Sequence, residues 1–471
     1  MSSALPVHLY NTAARQIEEL RPIEPGKIRI YCCGPTVYSY QHVGNLKTYL
    51  FEDILVRSLR FAGYDVKHVM NITDVGHLTS DADEGEDKMA LAMRREKKRS
   101  SEIADFYTAQ FFRDCAQLNI IKPDIVCRAT DHIPDMIALI ERIQKNGFTY
   151  ISNGNVYFDV TKFANYGSLA RLDLEQLKAG ARIEVDQNKR GPFDFVLWFT
   201  KSKFENQELQ WDSPFGRGYP GWHIECSAMS MRHLGEEIDI HCGGIDHIPV
   251  HHTNEIAQSE AATGKPWVRL WIHGAFMQIN AEKMSKSKGN TILVEDILAR
   301  GLNPLVYRYL ALTTHYRSQL NFTWPVVENA GKALEKLKTS VLSVKEKAAA
   351  PASQLTEAGN RFSVEFSAAV RDDLNTPRAM ATVAAALNDK LLTPAEKLAL
   401  LYGFDQVLGL GLAAWAPETV ELTPELKDLL DQRRQARDAK DWAAADEIRA
   451  RLAEKGFVVK DSAAGAVLQR K

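Results

Sequence analysis

Hydrophobic and polar positions alternate near the start of the chain and then change to a longer period. Apolar residues alternate with polar ones over residues 27–31, which predicts a strand that runs into a turn at Gly34 and Pro35. Over residues 44–63 the apolar positions recur every three or four residues and predict an amphipathic helix, and residues 65–73 return to a strand pattern. Strand, turn, helix and strand in this order predict a βαβ unit within a parallel sheet.

The pattern changes repeatedly further along and divides the chain into five segments. From about residue 124 to 219, short β patterns punctuated by Gly, Asn and Asp predict an insertion that splits the first fold. Strand patterns at residues 237–241 and 271–277 indicate that the sheet resumes, and the periodicity after Gly301 is almost wholly helical, with a terminal hairpin at 457–468. The predicted segments are 1–123, 124–219, 220–300, 301–422 and 423–471.

Composition limits the class of protein. With 471 residues and 45% hydrophobic content, the chain is long enough for about three domains with a buried core in each. Six scattered cysteines do not form a disulfide framework, and the N-terminus lacks the basic-then-apolar pattern of a secretion signal. No apolar run approaches the roughly 18 residues of a membrane span. We therefore expect a cytoplasmic protein that does not enter a membrane.

Charge is nearly balanced overall but uneven along the chain. The formal net charge is −2, which does not indicate a nucleic-acid binder by itself. Residues 433–471 carry ten Lys or Arg against six Asp or Glu, a local charge of +4. This end of the chain is equally compatible with phosphate contacts and with ordinary solvated helix faces. The charge-dense residues 81–98 are expected to form a mobile or peripheral segment.

Two short segments, YSYQHVGN and KMSKS, carry the residue types of a site that handles the phosphates of ATP. His42 at a helix start can donate a hydrogen bond to a phosphate oxygen, and Gly44 allows the nucleotide to lie close to the backbone. Lys283 and Lys286 each supply a positive charge for the phosphorus and the departing pyrophosphate during adenylation. Alone, the first segment is as well explained by an ordinary helix start. KMSKS is far rarer by chance, and its alternative, a solvated Lys/Ser loop, loses support once the first segment precedes it. Together they favour adenylation.

These segments resemble the HIGH-like and KMSKS signatures of class I aminoacyl-tRNA synthetases. Three further segments, 31–38, 220–229 and 251–258, are similar to those of the cysteinyl-tRNA synthetases, and the similarity extends from about Leu9 to the C-terminus. The resemblance implies an α/β fold with a split Rossmann-type parallel sheet. In order, the five segments would be the first Rossmann half, a connective insertion, the second Rossmann half, a stem with a helical bundle, and an anticodon-binding module.

Cysteine and histidine positions raise the question of a metal. His251 and Glu255 are four residues apart and share a helix face, whereas Cys33 follows the first strand and Cys226 lies in an apolar helix. By spacing alone, buried free cysteines are more often ordinary core residues. The resemblance implies instead that these four residues bind one Zn²⁺ per subunit, with His252 facing elsewhere. Zinc would select cysteine over serine by binding the substrate thiolate.

The resemblance also implies the other site residues. It assigns catalysis to His42, Asn45, Lys283 and Lys286, and ATP contacts to Pro35, Gly44, Gly243 and Lys286. It assigns cysteine binding to Thr73, Trp222, His241 and Asp246, although Trp222 is otherwise explained as a core aromatic residue and His241 as structural. It assigns tRNA contacts to Arg437, Asp446 and Asp461. Mg²⁺ is expected with ATP from the chemistry of phosphoryl transfer, and we expect a monomer.

Two activities use a cysteinyl adenylate. One is transfer of cysteine to the 3′ end of cysteine tRNA, and the other is amide formation with an amino sugar, as in mycothiol ligase. The second class lacks the C-terminal module, which is present here, so tRNA charging is favoured. A non-catalytic nucleic-acid binder with a degenerate core is disfavoured because His42 and both lysines are intact.

Overall fold

The computed structural model describes residues 5–76, 88–172, 188–201, 208–279, 282–283, 291–417, 423–462 and 465–470. Its strands are β1 His8–Asn11, β2 Gln16–Glu19, β3 Lys27–Cys32, β4 Asp65–Ile72, β5 Ile125–Arg128, β6 Thr149–Ser152, β7 Asn155–Phe158, β8 Phe195–Phe199, β9 Tyr219–Pro220, β10 Ile238–Gly244, β11 Val268–Gly274, β12 Met277–Ile279, β13 Glu282–Lys283, β14 Leu320–Phe322, β15 Phe457–Ser462 and β16 Gly465–Arg470. Its α-helices are α1 Val43–Phe61, α2 Lys88–Glu96, α3 Ser100–Gln117, α4 Ile133–Lys145, α5 Trp222–Leu234, α6 Thr253–Thr263, α7 Val294–Ala299, α8 Leu305–Leu312, α9 Trp324–Lys347, α10 Glu357–Arg371, α11 Thr376–Asn388, α12 Pro394–Leu408, α13 Pro424–Asp438 and α14 Trp442–Glu454. Shorter helical turns lie at Ala129–His132, Val160–Lys162, Ile245–His247, Ile248–His252 and Leu412–Ala414.

Five parallel strands form the central sheet in the order β11, β10, β3, β4, β5. Cys32 of β3 is in register with Met70 of β4 on one side and with Cys242 of β10 on the other. The strand order reverses at β3, and open α/β sheets bind ligands in the crevice that such a reversal leaves beyond the carboxyl ends of the strands. The predicted βαβ unit and the return of the sheet after the insertion are confirmed.

The helix after β3 is more enclosed than an amphipathic surface helix. The predicted helix at 44–63 is observed as α1, which contacts β4 on one side and α12 on another. Besides its apolar residues, α1 buries Lys47, Glu52, Asp53 and Ser58. Buried polar side chains require partners, so α1 is the place to look for internal hydrogen bonds and ion pairs.

The insertion contains an antiparallel sheet of β6, β7, β8 and β9. Stacked rings join neighbouring strands: the ring centroids of Tyr150 and Tyr157 are 5.3 Å apart, and those of Phe158 and Phe195 are 5.0 Å apart. Phe158 and Phe195 also pack into the same core as α4, α5 and α6. The inserted sheet therefore shares a hydrophobic core with helices of the second half of the parallel-sheet fold. The boundaries proposed for all five segments stay predictions.

One buried arginine ties the helical region to the parallel sheet. Arg308 of α8 is fully buried, and its Nη2 lies 2.6 Å from the Oδ2 of Asp53 on α1. Its remaining guanidinium nitrogens donate to the carbonyl oxygens of Leu408, at the end of α12, and of Leu118 and Asn119, after α3. Arg308 thus holds the ends of α3 and α12 against α1.

Within the described ranges, every helix is too short or too polar to cross a membrane.

The C-terminal module packs two helices against a hairpin. α13 contacts α14, and the predicted hairpin is confirmed as β15 paired with β16. Its small core consists of Leu426, Leu429, Ile448, Leu452 and Leu468. Leu468 is an internal packing residue of this module.

Candidate active site and metal centre

A cavity of about 770 Å³ opens at the carboxyl ends of β3, β4 and β10, in the crevice that the strand order indicates. The predicted site residues in its wall are Cys33, Pro35, His42, Gly44, Asn45, Thr73, Trp222, Cys226, Asp246 and His251. The fold therefore brings together residues that are far apart in the sequence and that were predicted to bind the nucleotide, the amino acid and the metal.

α1 begins at this cavity with a reciprocal cap. The His42 Nδ1 accepts a hydrogen bond from the Asn45 backbone N–H over 3.1 Å, and the His42 backbone N–H donates to the Asn45 Oδ1 over 3.3 Å. Because Nδ1 is an acceptor, the neutral ring carries its proton on Nε2. The N–H groups and the dipole at a helix start also favour an anion. Asn45 therefore orients His42, and Gly44 keeps the wall between them free of a side chain.

The turn after β3 approaches β4 closely. A Cβ at Gly34 would lie 1.6 Å from the carbonyl oxygen of Asn71, so only glycine fits there. The Gly34 N–H donates to the Asn71 Oδ1 over 2.8 Å, and the Asn71 amide donates to the Thr73 hydroxyl oxygen over 2.9 Å. The Thr73 N–H donates to the Pro35 carbonyl oxygen over 3.0 Å. Asn71, which the sequence analysis missed, fixes Thr73 and Pro35 in the cavity wall.

The KMSKS segment is described only at its first residue. The backbone of Lys283 belongs to β13, where it is in register with Gln278 of β12. Met277, the residue before Gln278, lines the cavity. Lys286 lies outside the described residues. The first residue of the segment therefore pairs with a strand that borders the cavity, and the contacts of the two lysines stay predictions.

Four buried side chains from four separate elements converge in the cavity. Cys33 follows β3, Cys226 lies in α5, His251 lies in the helical turn Ile248–His252, and Glu255 is in the first turn of α6. One ligand atom from each lies within 4.8 Å of the others. Two thiols, an imidazole and a carboxylate suit a tetrahedral zinc ion. The predicted ligands are thus brought within reach of one cation.

A second group of ligand atoms overlaps the first. Cys33, His241, His252 and Glu255 also lie within 4.8 Å of one another. The His252 Nε2 is 3.5 Å from the Cys33 Sγ, so the expectation that His252 faces elsewhere is wrong. This group has one sulfur, and of its members only Cys33 belongs to the cavity wall that the structure describes. The first group has two thiols and opens to the cavity, so it is the better zinc site.

Neighbouring histidines hold the ligand atoms in orientation. The Nδ1 atoms of His223 and His251 are 2.9 Å apart, and the His241 Nε2 donates to the Glu255 Oε2 over 2.8 Å. The Glu255 Oε1 lies 2.9 Å from the His251 Nε2, but the two atoms do not have the geometry of a hydrogen bond. The Glu255 Oε1 has no hydrogen-bond partner among the residues described. The Glu255 Oε1 and the His251 Nε2 are therefore placed to bind one shared cation. His223 and His241 would orient these two residues.

The charges of the cluster also fit a cation. The neighbouring Cys33 thiol lowers the pKa of Cys226 to about 6, although burial opposes this. Burial would lower the pKa of His251, but the Glu255 carboxylate and the Cys226 sulfur raise it to about 10. Burial would raise the pKa of Glu255, but His241 and His251 lower it to about 2. The site therefore gathers anionic sulfur and carboxylate around a position that needs positive charge, and this donor set fits zinc.

The residues predicted to bind cysteine divide into two groups. Trp222 begins α5 at the cavity wall, and its ring centroid is 4.5 Å from that of His251. Asp246, in the turn after β10, is exposed, and Thr73 is buried, but both line the same cavity. His241 is fully buried behind Glu255, so its contact is with that ligand.

Gly243 has a packing reason to be glycine. A Cβ there would lie 2.7 Å from the His247 Nδ1 and 2.8 Å from the His252 Cε1. The absence of a side chain lets both rings approach β10. Its neighbour Gly244 lies in the cavity wall, so an ATP contact from Gly243 stays a prediction.

The charged segment after β4 is not peripheral where it is described. Lys88, Leu91, Ala92 and Arg95 of α2 line the cavity, and the Lys88 Nζ lies 5.7 Å from the Trp222 ring centroid. The expectation of a peripheral segment at 81–98 is wrong for α2, residues 88–96, and 81–87 lie outside the described residues. The spacing of these four residues, i, i+3, i+4 and i+7, marks one helix face and is the signal that sequence reasoning missed.

The predicted tRNA-contacting residues lie in the C-terminal module. Arg437 is in the last turn of α13, and Asp446 of α14 lies 3.4 Å from Arg449 with its side chain 68% exposed. Asp461 is in β15, and its side chain lies outside the description. Trp442, which begins α14, is 59% exposed and offers a flat apolar surface.

Comparison with known proteins agrees with this geometry. The family described as "tRNA synthetases class I (C) catalytic domain" matches residues 19–332, and the family described as "Cysteinyl-tRNA ligase anticodon binding domain" matches residues 419–466. The chain is 50% identical to a cysteine–tRNA ligase of Treponema denticola, with 98% of each chain covered. It is 46% identical to cysteine–tRNA ligase 1 of Burkholderia lata, with 98% of this chain and 96% of that protein covered.

Solved structures support the fold. The structure of Mycobacterium tuberculosis methionyl-tRNA synthetase in complex with methionyl-adenylate matches 89% of this chain and 96% of that chain, with a TM-score of 0.55 and 16% identity. The predicted Rossmann-type α/β class is thereby confirmed. With two matching family domains and relatives of 40–50% identity over nearly the whole length, the chain belongs to the cysteine–tRNA ligase family of class I aminoacyl-tRNA synthetases.

Proposed function

We propose that this chain activates cysteine with ATP to give cysteinyl adenylate and then transfers the cysteinyl group to the 3′ end of cysteine tRNA. The observation that supports this most is the position of the buried Cys33, Cys226, His251 and Glu255 cluster. The cluster opens into the same cavity as the start of α1. A thiol and a nucleotide phosphate would therefore meet within one cavity, as cysteine adenylation requires.

The first step forms a bond between a cysteine carboxylate oxygen and the α-phosphorus of ATP, while the bond to pyrophosphate breaks. His42, held by Asn45, donates from Nε2 toward a phosphate oxygen, and the α1 N–H groups add partial positive charge. We assign Lys283 and Lys286 to the phosphates of the leaving group. Mg²⁺ accompanies ATP and offsets its charge.

Cysteine selection depends on the thiol end of the cavity. An apolar pocket separates near-isosteres such as cysteine and serine by only about a hundredfold. When bound at Cys33, Cys226, His251 and Glu255, zinc supplies a ligand position that favours a thiolate over a hydroxyl. We assign Trp222 to covering this end of the cavity and Asp246, with Thr73, to the substrate ammonium group.

In the second step the 3′-terminal adenosine hydroxyl attacks the cysteinyl carbonyl carbon, and AMP leaves. The match to an anticodon-binding family at residues 419–466 supports tRNA over an amino sugar as the acceptor. We assign anticodon contacts to Arg437, Asp446 and Asp461, with stacking on Trp442. We further propose that the enzyme is cytoplasmic and that it is a monomer. Sedimentation equilibrium would test the oligomeric state.

Removing the C-terminal module should separate the two steps. A chain that ends at residue 417 is expected to keep cysteine-dependent ATP–pyrophosphate exchange within about threefold, and to lose tRNA charging by about a hundredfold. The physical reason is that the adenylation cavity includes no residue of the described module, whereas the assigned anticodon contacts all lie in it. Circular dichroism checks that the truncated chain is folded. Full charging by a folded truncated chain would contradict the anticodon assignment, and direct assays with amino sugars would follow.

Removing one lysine should affect adenylation more than binding. Lys286→Ala is expected to slow cysteine-dependent pyrophosphate exchange about a hundredfold, because a positioned cation no longer offsets charge in the transition state. Lys288→Ala, directly after the KMSKS segment, is the control, and we expect it to change the rate less than about threefold. Calorimetric binding of cysteine should be unaffected in both. Equal losses in the two variants, or a matching loss of cysteine affinity, would assign Lys286 a structural part instead.

A further inference from the structure

A second cavity, of about 200 Å³, lies between α1, β4, α3 and the loop that leads to β5. Tyr49 of α1 lines both this cavity and the active-site cavity, so the two cavities are neighbours. No residue of the cysteine or ATP assignments lines the second cavity. We call it the α1–α3 cavity.

Glu52 lines the α1–α3 cavity and is 1% exposed. Neither of its carboxylate oxygens has a hydrogen-bond partner among the described residues. A buried carboxyl without partners is costly, because water no longer solvates it. Burial raises the pKa of Glu52 well above its usual range, which favours the neutral acid with one O–H donor and one carbonyl acceptor.

His68 of β4 offers a second polar atom on another wall. It is 4% exposed, and its Nε2 also has no hydrogen-bond partner among the residues that the structure describes. Burial lowers the pKa of His68 to about 4, so the ring is neutral. Two elements thus each present an unpaired polar atom to one enclosed space, which is the arrangement of a ligand pocket with few convergent polar groups.

Apart from Asp53, which is paired with Arg308, and Lys122, the remaining wall is mostly apolar and partly aromatic. Phe111 and Phe112 of α3, Met70 of β4 and Ile121 of the loop line the α1–α3 cavity. Flat rings bind well against aromatic side chains, and a cavity of this volume accommodates a molecule of one or two fused rings. At the outer end, the exposed Ala116 gives access from the surface.

We propose that the α1–α3 cavity binds a small planar nitrogen heterocycle with an amidine edge, in which a ring nitrogen accepts from the Glu52 acid group and an adjacent amino group donates to it. One hydrogen bond runs from the Glu52 O–H to the ring nitrogen, and the other runs from the amino group to the Glu52 carbonyl oxygen. If the proton is on the ligand instead, the cationic edge donates both hydrogen bonds to the Glu52 carboxylate. The His68 Nε2 then meets a polar atom at the opposite end of the ring system.

The test uses 2-aminobenzimidazole as the probe and the full-length protein saturated with ATP and Mg²⁺, so that the nucleotide site is occupied. Isothermal titration calorimetry is expected to show saturable binding at one site per chain. Glu52→Met should weaken the probe at least about tenfold, because it keeps the volume and removes both hydrogen bonds. Glu52→Gln, which retains one donor and one acceptor, should stay within about threefold.

A third variant tests the location from the opposite wall. Ala116→Phe fills the outer end of the cavity and should abolish binding, whereas Ala109→Phe, exposed on the same helix outside the cavity wall, should leave it unchanged. Thermal unfolding without the probe checks that each variant is folded. Absence of saturable binding to the wild type, or equal binding by wild type, Glu52→Met and Ala116→Phe, would overturn the proposal and leave the cavity to water. Loss of binding on adding ATP would place the probe in the nucleotide site and overturn it as well.

Discussion

Replacing Cys226 by serine is expected to remove zinc from the protein and to lower kcat/KM for cysteine by more than about a hundredfold. The serine hydroxyl does not ionise near neutral pH, so one of the two sulfur ligands that the cluster offers to zinc is lost. The cavity that receives ATP is otherwise unchanged, so ATP affinity should be retained. Metal content by atomic emission and cysteine-dependent pyrophosphate exchange measure the two effects.

Two companion variants make this result specific. Cys127→Ser is the matched control, because the Cys127 thiol donates to the Met70 carbonyl oxygen and a hydroxyl can do the same. It should keep full zinc content and activity. His252→Gln distinguishes the two overlapping ligand groups. If zinc persists in Cys226→Ser and disappears in His252→Gln, the ligands are Cys33, His241, His252 and Glu255, and our assignment is wrong.

The second large effect concerns stability. Asp53→Ala should lower the free energy of unfolding by about 3–5 kcal/mol, because it leaves the fully buried Arg308 guanidinium without its counter-charge. It also removes the acceptor of the Arg57 Nε and of the Ile121 N–H. Urea denaturation followed by circular dichroism measures the change.

A surface ion pair provides the comparison. Glu237 and Arg269 lie 2.9 Å apart, with side chains 46% and 42% exposed. Glu237→Ala removes a carboxylate from an ion pair of similar length, and solvent screening should limit the loss to about 1 kcal/mol or less. Similar losses of the free energy of unfolding in the two variants would show that burial of Arg308 does not make its ion pair more important for stability than an exposed one.

The sequence predicted the parts of this fold that depend on neighbouring residues. The strand at 27–31 and the helix at 44–63 have the periods of β3 and α1, and their observed bounds differ by one or two residues. Their order also predicted a parallel sheet. The site followed from resemblance, because residues such as Cys33 and Glu255 have no local pattern that marks them as ligands.

What the sequence did not predict depends on contacts between distant segments. His252 meets Cys33 because β10 and the turn after it lie beside β3, and a single sequence carries no signal for that approach. Glu52 and Asp53 are adjacent on α1 and look alike as helix residues. Only the fold gives Asp53 two arginines and leaves both oxygens of Glu52 without a partner among the described residues.

The strand order sets a demand on synthesis at the ribosome. β3 pairs with β4 soon after both emerge, but its other edge pairs with β10, where Ile30 meets Ile240. Throughout translation of the insertion, the nascent chain therefore carries an apolar strand edge without its native partner, and such edges recruit other chains. The Arg308 contact with Leu408 forms later still. Slow or paused translation across the insertion is therefore expected to prolong the exposure of this strand edge and to favour aggregation of the unfinished chain.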